Sequence, residues 1–175
     1  MFSFRAARPG LESETEGRYG RHAFLLSRCL CARDVHLDVA SADRGALFEF
    51  IACRMADACQ FPASRVAAAL ARRESVGSTA LGEGTAIPHA RVQELDRVHA
   101  HFVRLAQPIP YDAPDGKPVR LVMALLVPAP ALHDHLIVLS EAASVFAQAP
   151  LRRALLAAET PEEVVRIVLT RREDA

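Results

Sequence analysis

The stretch VRLVMALLVPAP, residues 119–130, constrains the fold more than any other part of the chain. Leu121 to Val127 is apolar without a break. That is far short of the ~20 residues needed to span a bilayer. Alternate residues of a strand point to opposite faces, so a strand apolar at every position must be covered on both. The run therefore reads as a central strand with helices on each side of its sheet. RVHAHFVRLAQPI, from Arg97, reads as a second strand. Between the two lies YDAPDGKP, where Asp115-Gly116 is a reversal signal.

The flanking segments supply the helices. Ser41 reads as the N-cap of a helix from Ala42 to about Cys59, with Leu47, Phe50, Ile51 and Met55 as its buried stripe. Pro62 suits the first turn of an alanine-rich helix reaching about Arg73. DVHLDV, Asp34 to Val39, alternates as a strand does. VGSTALGEG reads as a loop or tight hairpin, and TAIPH as a short extended piece. HDHLIVLSEAASVFAQ is helical, and Pro150 opens a further helix. Thr160-Pro161-Glu162-Glu163 opens the last, with Thr160 as N-cap and Glu163 reaching back in a capping box. Helix-rich stretches lie before and after the strands, which argues for a mixed sheet. The expectation is a single α/β domain with a central mixed sheet of about five strands, flanked by helices on both sides. It spans 23–172, and residues 1–22 form a flexible N-terminal extension or an alternative start.

Charge narrows the function classes. Lysine plus arginine and aspartate plus glutamate both number 21, so no global field draws the chain to nucleic acid or to an anionic membrane. The first residues mix charges and lack an apolar core segment, unlike a secretory leader. No membrane insertion is expected, and the location expected is cytoplasmic. Cys29, Cys31, Cys53 and Cys59 form no C-x-x-C pair and read as free thiols, mostly small core hydrophobes.

The chemistry concentrates in GEGTAIPHAR, Gly82 to Arg91. His89 follows Pro88 at the end of an extended piece, behind Gly77, Gly82 and Gly84, with Arg73, Ser78 and Thr79 upstream. Spacing alone leaves two readings. His89 is either a histidine hydrogen-bonded at a strand end or the centre of an anion site, where arginine grips phosphate and imidazole attacks phosphorus.

RRESVGSTALGEGTAIPHAR resembles the phosphorylation segment of type-2 IIA domains of the bacterial phosphotransferase system. QPIPYDAPDGKPVRLVMALLVPAP, HDHLIVLSEAASVFAQ and LRRALLAAETPEEVVRIV follow in that family's order, so the resemblance covers roughly residues 25 to 170. It is greatest to the nitrogen-regulatory branch, with fructose and mannitol types next. The resemblance implies that His89 takes a phosphoryl group on its outer ring nitrogen from an HPr-like phosphocarrier. It implies that Arg73 faces the site, that His135 stabilises the phosphoryl group, and that Ser78 and Thr79 bind its oxygens. It implies a signalling carrier that regulates target proteins such as kinases or transporters. The alternative is a sugar-specific IIA subunit that passes phosphate to a separate IIB protein.

No cofactor is implied. No metal is expected either, since His89 and His135 fall short of the three or four ligands zinc takes. Two departures from the family pattern are Thr85, where an aliphatic residue is usual, and Ala90-Arg91 in place of Gly-Lys. His99 and His101 share a strand face and read as partly covered surface residues, His36 as isolated, and Arg152-Arg153 as a solvated helix face.

Overall fold

A computed structural model describes residues 25–129 and 133–170, with the side chains of 133–135 and 170 left out. The extension expected over 1–22 lies outside the described residues. The elements in chain order are α1 (Leu26–Cys29), a 3-10 turn (Ala32–Asp34), β1 (Val35–Val39), α2 (Arg44–Cys59) and α3 (Ala63–Val76). Three short strands follow, β2 (Ala80–Gly82), β3 (Thr85–Ala86) and β4 (His89–Gln93). The two long strands β5 (His99–Ile109) and β6 (Val119–Ala129) precede α4 (His133–Ala147), α5 (Ala149–Ala157) and α6 (Pro161–Thr170).

The sheet is mixed, with six strands where about five were expected, in the order β1-β5-β6-β3-β2 and with β4 also paired to β6. β5 and β6 are antiparallel, while β1 runs parallel to β5 and β3 and β4 run parallel to β6. The extra strand arises because one extended segment is cut in two. Thr85 pairs with Leu121 and His89 with Leu125, both at an offset of 36, so β3 and β4 share one register on β6. Pro88 between them has no N–H to donate, and the ladder lapses there.

β6 is central, and its side chains divide as a strand covered on both faces must. Val122, Ala124 and Leu126 join Leu47, Ile51, Met55, Val66 and Leu70 of α2 and α3 in one core. Leu121, Met123, Leu125 and Val127 join Val138, Val145, Phe146, Leu155, Val164 and Val168 of α4 to α6 in the other.

Several local expectations are corrected. Asp43 caps α2 in place of Ser41: its Oδ1 accepts the Ala46 N–H at 2.9 Å, and the Ser41 hydroxyl donates to the Asp43 carbonyl at 3.0 Å. Pro62 is the N-cap of α3, its carbonyl accepting from Arg65 and Val66. At α6 the Thr160 hydroxyl accepts the Glu163 N–H at 3.2 Å, but Glu163 reaches back to the Glu159 N–H at 2.7 Å. The tight two-residue turn lies at Glu83-Gly84, both at positive φ and closed by the Gly82–Thr85 pair. The β5–β6 link takes the longer path 110–118, and its Asp115 carboxylate accepts the Glu83 N–H at 2.8 Å, tying this loop to the hairpin. Arg152 is not simply solvated: it donates to the Phe146 and Ala147 carbonyls at 2.7 and 2.9 Å, capping the end of α4. The four cysteines are free, but only Cys59 is buried, and Cys31 and Cys53 are exposed.

The histidines of β5 are not surface residues either. His99 and His101 are buried, because β1 flanks β5 in the sheet and α2 packs over that face. His36 is not isolated: its Nε2 shares a hydrogen bond with His101 Nδ1 at 3.0 Å, and its ring meets Phe50 edge-on. Burial pushes the His36 and His99 imidazoles below their usual range and His101 down to about 4. The unfolded chain therefore binds protons that the native chain refuses below the ordinary histidine value of about 6.5. Stability is full above that value and falls as pH drops below about 6.5, with the contribution of His101 lost progressively towards its own value of about 4. Urea melts across pH 4.5–7.5 should show the midpoint falling on the acid side, and a flat profile would contradict this account.

Candidate functional site

His89 is the first residue of β4, immediately after the break in the ladder. Its backbone is held from both directions. The Ile87 N–H donates to the Thr79 carbonyl at 3.0 Å, and the Pro88 carbonyl accepts the Leu125 N–H at 2.9 Å. The ring is then oriented by its own neighbour, with His89 Nδ1 lying 2.8 Å from the Ile87 carbonyl. A carbonyl can only accept, so Nδ1 carries the proton and Nε2 carries the lone pair. Arg73, in the last turn of α3, donates from Nε to His89 Nε2 at 3.2 Å and from Nη1 to the Gly77 carbonyl at 2.9 Å.

Burial lowers the His89 pKa, the Ile87 hydrogen bond works against that, and the Arg73 charge lowers it further. The neutral, nucleophilic imidazole is thus the form present at neutral pH. The ring opens on a cleft of about 310 Å³ lined by Arg73, His89, Arg91, Val127, Leu136 and Leu139. Leu136 is 62% exposed, so this rim is apolar and accessible.

The other candidates are placed differently. The Ser78 hydroxyl donates to the Tyr111 carbonyl at 3.0 Å and accepts the Ala80 N–H at 3.2 Å. The buried Thr79 hydroxyl donates to Glu74 Oε2 at 2.5 Å. Both hydroxyls are committed behind the site, and neither is hydrogen-bonded to His89. His135 lies in the first turn of α4, and its side chain is outside the described residues, as is that of His133. Thr85, the departure from the family pattern, is buried, and its hydroxyl donates to the Gly82 carbonyl at 2.8 Å within its own turn.

Sequence reasoning missed Glu74. It is only 5% exposed, and one oxygen accepts the Thr79 N–H at 3.0 Å while the other accepts the Thr79 hydroxyl. Arg44 lies 3.5 Å from it and also packs over the Tyr111 ring. Glu74 thereby holds Thr79, Thr79 holds Ile87, and Ile87 holds the His89 ring. A signal was present: a carboxylate in the last turn of a helix opposes the macrodipole and needs another reason to be there. Glu74→Ala should cost about 2 kcal/mol, because it leaves the Thr79 N–H buried without its partner and the Thr79 hydroxyl with only the long contact to the Tyr111 hydroxyl at 3.5 Å. Urea denaturation measures this, and a change below about 0.5 kcal/mol would show that Thr79 finds other partners.

The fold and the site together define a single mixed α/β domain that presents a histidine at a strand break, with an arginine on its free nitrogen and an apolar rim beside it. The sequence matches the family described as "Phosphoenolpyruvate-dependent sugar phosphotransferase system, EIIA 2" over residues 29–170, and the chain belongs to that family. It is 41% identical over 122 residues to the nitrogen regulatory protein of Escherichia coli K12, which covers 69% of this chain and 74% of that protein. The crystal structure of nitrogen regulatory protein IIA-Ntr from Neisseria meningitidis superposes with a TM-score of 0.80 at 37% identity, covering 82% of this chain and 99% of that one. The mannitol IIA structure from Escherichia coli has a TM-score of 0.66 at 20% identity, covering 79% and 98%, and shares the fold. Among the described residues no helix is long and apolar enough to cross a membrane.

Proposed function

We propose that this protein is a phosphohistidine signalling carrier of the nitrogen-related phosphotransferase branch, acting in the cytoplasm. The observation that carries this reading is the His89 ring itself. Its Nδ1–H is held by Ile87, leaving the Nε2 lone pair as the nucleophile that faces an open, apolar-rimmed cleft. A phosphohistidine on an HPr-like carrier docks against Leu136 and its neighbours. His89 Nε2 attacks phosphorus in line, the new N–P bond forms as the donor's N–P bond breaks, and the donor nitrogen recovers its electron pair. The Ile87 carbonyl stabilises the positive charge that develops on the ring. Arg73, which donates to Nε2 before transfer, swings its fork onto the phosphoryl oxygens as the donor arrives. His135 would add a further donor from α4.

Phosphorylation adds about two negative charges at neutral pH to an apolar docking rim, which changes which partners bind there. The likeness to nitrogen regulatory proteins supports regulation of targets such as kinases or transporters over sugar transport. Incubation with phosphoenolpyruvate, enzyme I and the HPr-like carrier should add one phosphate to the mass of the protein. No mass gain would sink the proposal. Efficient onward transfer to a cysteine of a IIB protein would favour the sugar-transport reading instead.

A further inference from the structure

A second cavity, of about 300 Å³, lies where α1 and the 3-10 turn meet the start of β5. It shares no lining residue with the His89 cleft. His99 pairs with Leu126 on one flank of β6 and His89 with Leu125 on the other, and the two side chains lie on opposite faces of the sheet. Two strand spacings put the backbones of these two histidines roughly 10 Å apart across β6.

Arg28, Arg33, Arg97, His99 and His101 line this cavity. Among the described residues neither Arg28 nor Arg97 has a carboxylate within ion-pair distance. His99 is 8% exposed, and among the described residues no group hydrogen-bonds its ring. The carboxylate in the wall, Asp34, is already committed: it accepts from the Cys31 N–H at 3.0 Å and the Cys31 thiol at 2.8 Å, and it lies 3.7 Å from Arg33 and 3.8 Å from His101. Asp96 also acts on His99 but does not line the cavity. Two exposed guanidinium groups and one largely buried imidazole thus line one partly open cavity, and among the described residues none of the three has an ion-pair or hydrogen-bond partner.

We propose that this cavity is a binding site for a small oxyanion-bearing metabolite, a carboxylate or a phosphate ester, gripped by Arg28 and Arg97 with His99 as the buried donor. The guanidinium fork matches either oxyanion, and a neutral imidazole supplies one N–H without a charge to desolvate. The apolar wall of Leu30, Ala58 and Val98 would cover the carbon skeleton. Inorganic phosphate and succinate serve as the two probes, each titrated into the ¹⁵N-labelled full chain at constant ionic strength, with chloride as the control. The His99 signals should shift saturably with one or both. A response to phosphate alone assigns a phosphate ester, and a response to succinate alone assigns a carboxylate. The Arg28→Gln/Arg97→Gln double variant should bind on the order of tenfold more weakly or worse. His89→Ala should bind as the wild type does. Shifts that chloride reproduces, or an affinity that the double variant leaves within about twofold, would overturn the proposal. The double variant should still accept phosphate on His89, so the two sites fail independently.

Discussion

His89→Ala should accept no phosphate at all: after incubation with the complete donor chain its mass should be unchanged. The expectation follows from where the lone pairs are. Nδ1 is protonated and bonded to Ile87, so Nε2 is the nucleophile that the cleft presents. Removing the ring removes the one nucleophilic nitrogen that the described residues present to that cleft. The fold should survive, because the ring contributes one backbone hydrogen bond, worth about 1 kcal/mol net. An unchanged mass in a protein with native circular dichroism would therefore report the site, not the fold. Retention of the phosphate would move the nucleophile elsewhere. Phosphorus and nitrogen NMR on the wild type should place the phosphate on Nε2, and a phosphate on Nδ1 would mean that the Ile87 bond does not set the tautomer. Arg73→Ala should keep acceptance but slow it by about 10²-fold, the usual effect of losing one preorganised donor to developing charge. Single-turnover transfer measures this, and a slowing of less than about threefold would remove Arg73 from the transfer step.

The largest loss of stability should come from Arg104→Met. Arg104 sits in β5 with its side chain only 7% exposed. Its Nη1 donates to the carbonyls of Leu155, Leu156 and Ala158 at the end of α5, where the last carbonyls of a helix lack partners of their own. Its Nε and Nη2 form a fork on the Asp38 carboxylate at 3.0 and 2.8 Å. One guanidinium thus fastens β5 to β1 and to α5. Methionine fills similar volume but leaves buried carbonyls unpaired, which costs about 3–5 kcal/mol for a group of this kind. For a chain of this size that lowers Tm by roughly 10 °C. Arg104→Lys should fall between the two, since an ammonium cannot serve the carboxylate and the helix end together. Asp38→Asn should cost much less, because Asp38 is more than half exposed and solvent replaces its bonds. A loss below about 1 kcal/mol in Arg104→Met would show that α5 is held by its apolar face alone.

Much of the architecture was legible because its causes are local. The unbroken apolar run of Leu121–Val127 demanded cover on both faces, and the two cores divide its side chains as alternation requires. Thr160 could be read as a cap because an N-cap bonds within one turn. The count of strands was less legible. Pro88 breaks one register into two, and Glu83-Gly84 makes a hairpin too short to show periodicity.

The candidate site divides in the same way. The pattern around His89 and Arg73 stood out by residue type, and the structure sets these two side chains 3.2 Å apart. Ser78 and Thr79 stood beside them in sequence, yet their hydroxyls turn to Tyr111 and Glu74. Proximity in sequence does not say which way a side chain points in an irregular segment, because no period governs it. His99 and His101 looked like surface residues on an alternating strand. They are buried because β1, more than sixty residues earlier, lies beside β5 and brings His36 to His101. The sequence alone thus determined most of the elements, the two buried faces of the central strand and His89 with Arg73 as the candidate site, since propensity, periodicity and intrinsic chemistry act over a few residues. The tertiary structure alone decided which groups meet: Glu74 behind His89, Arg104 across β1 and α5, and Arg28 and Arg97 around the cavity that His99 lines. Those encounters depend on how the chain returns on itself through long-range burial, which no local pattern encodes.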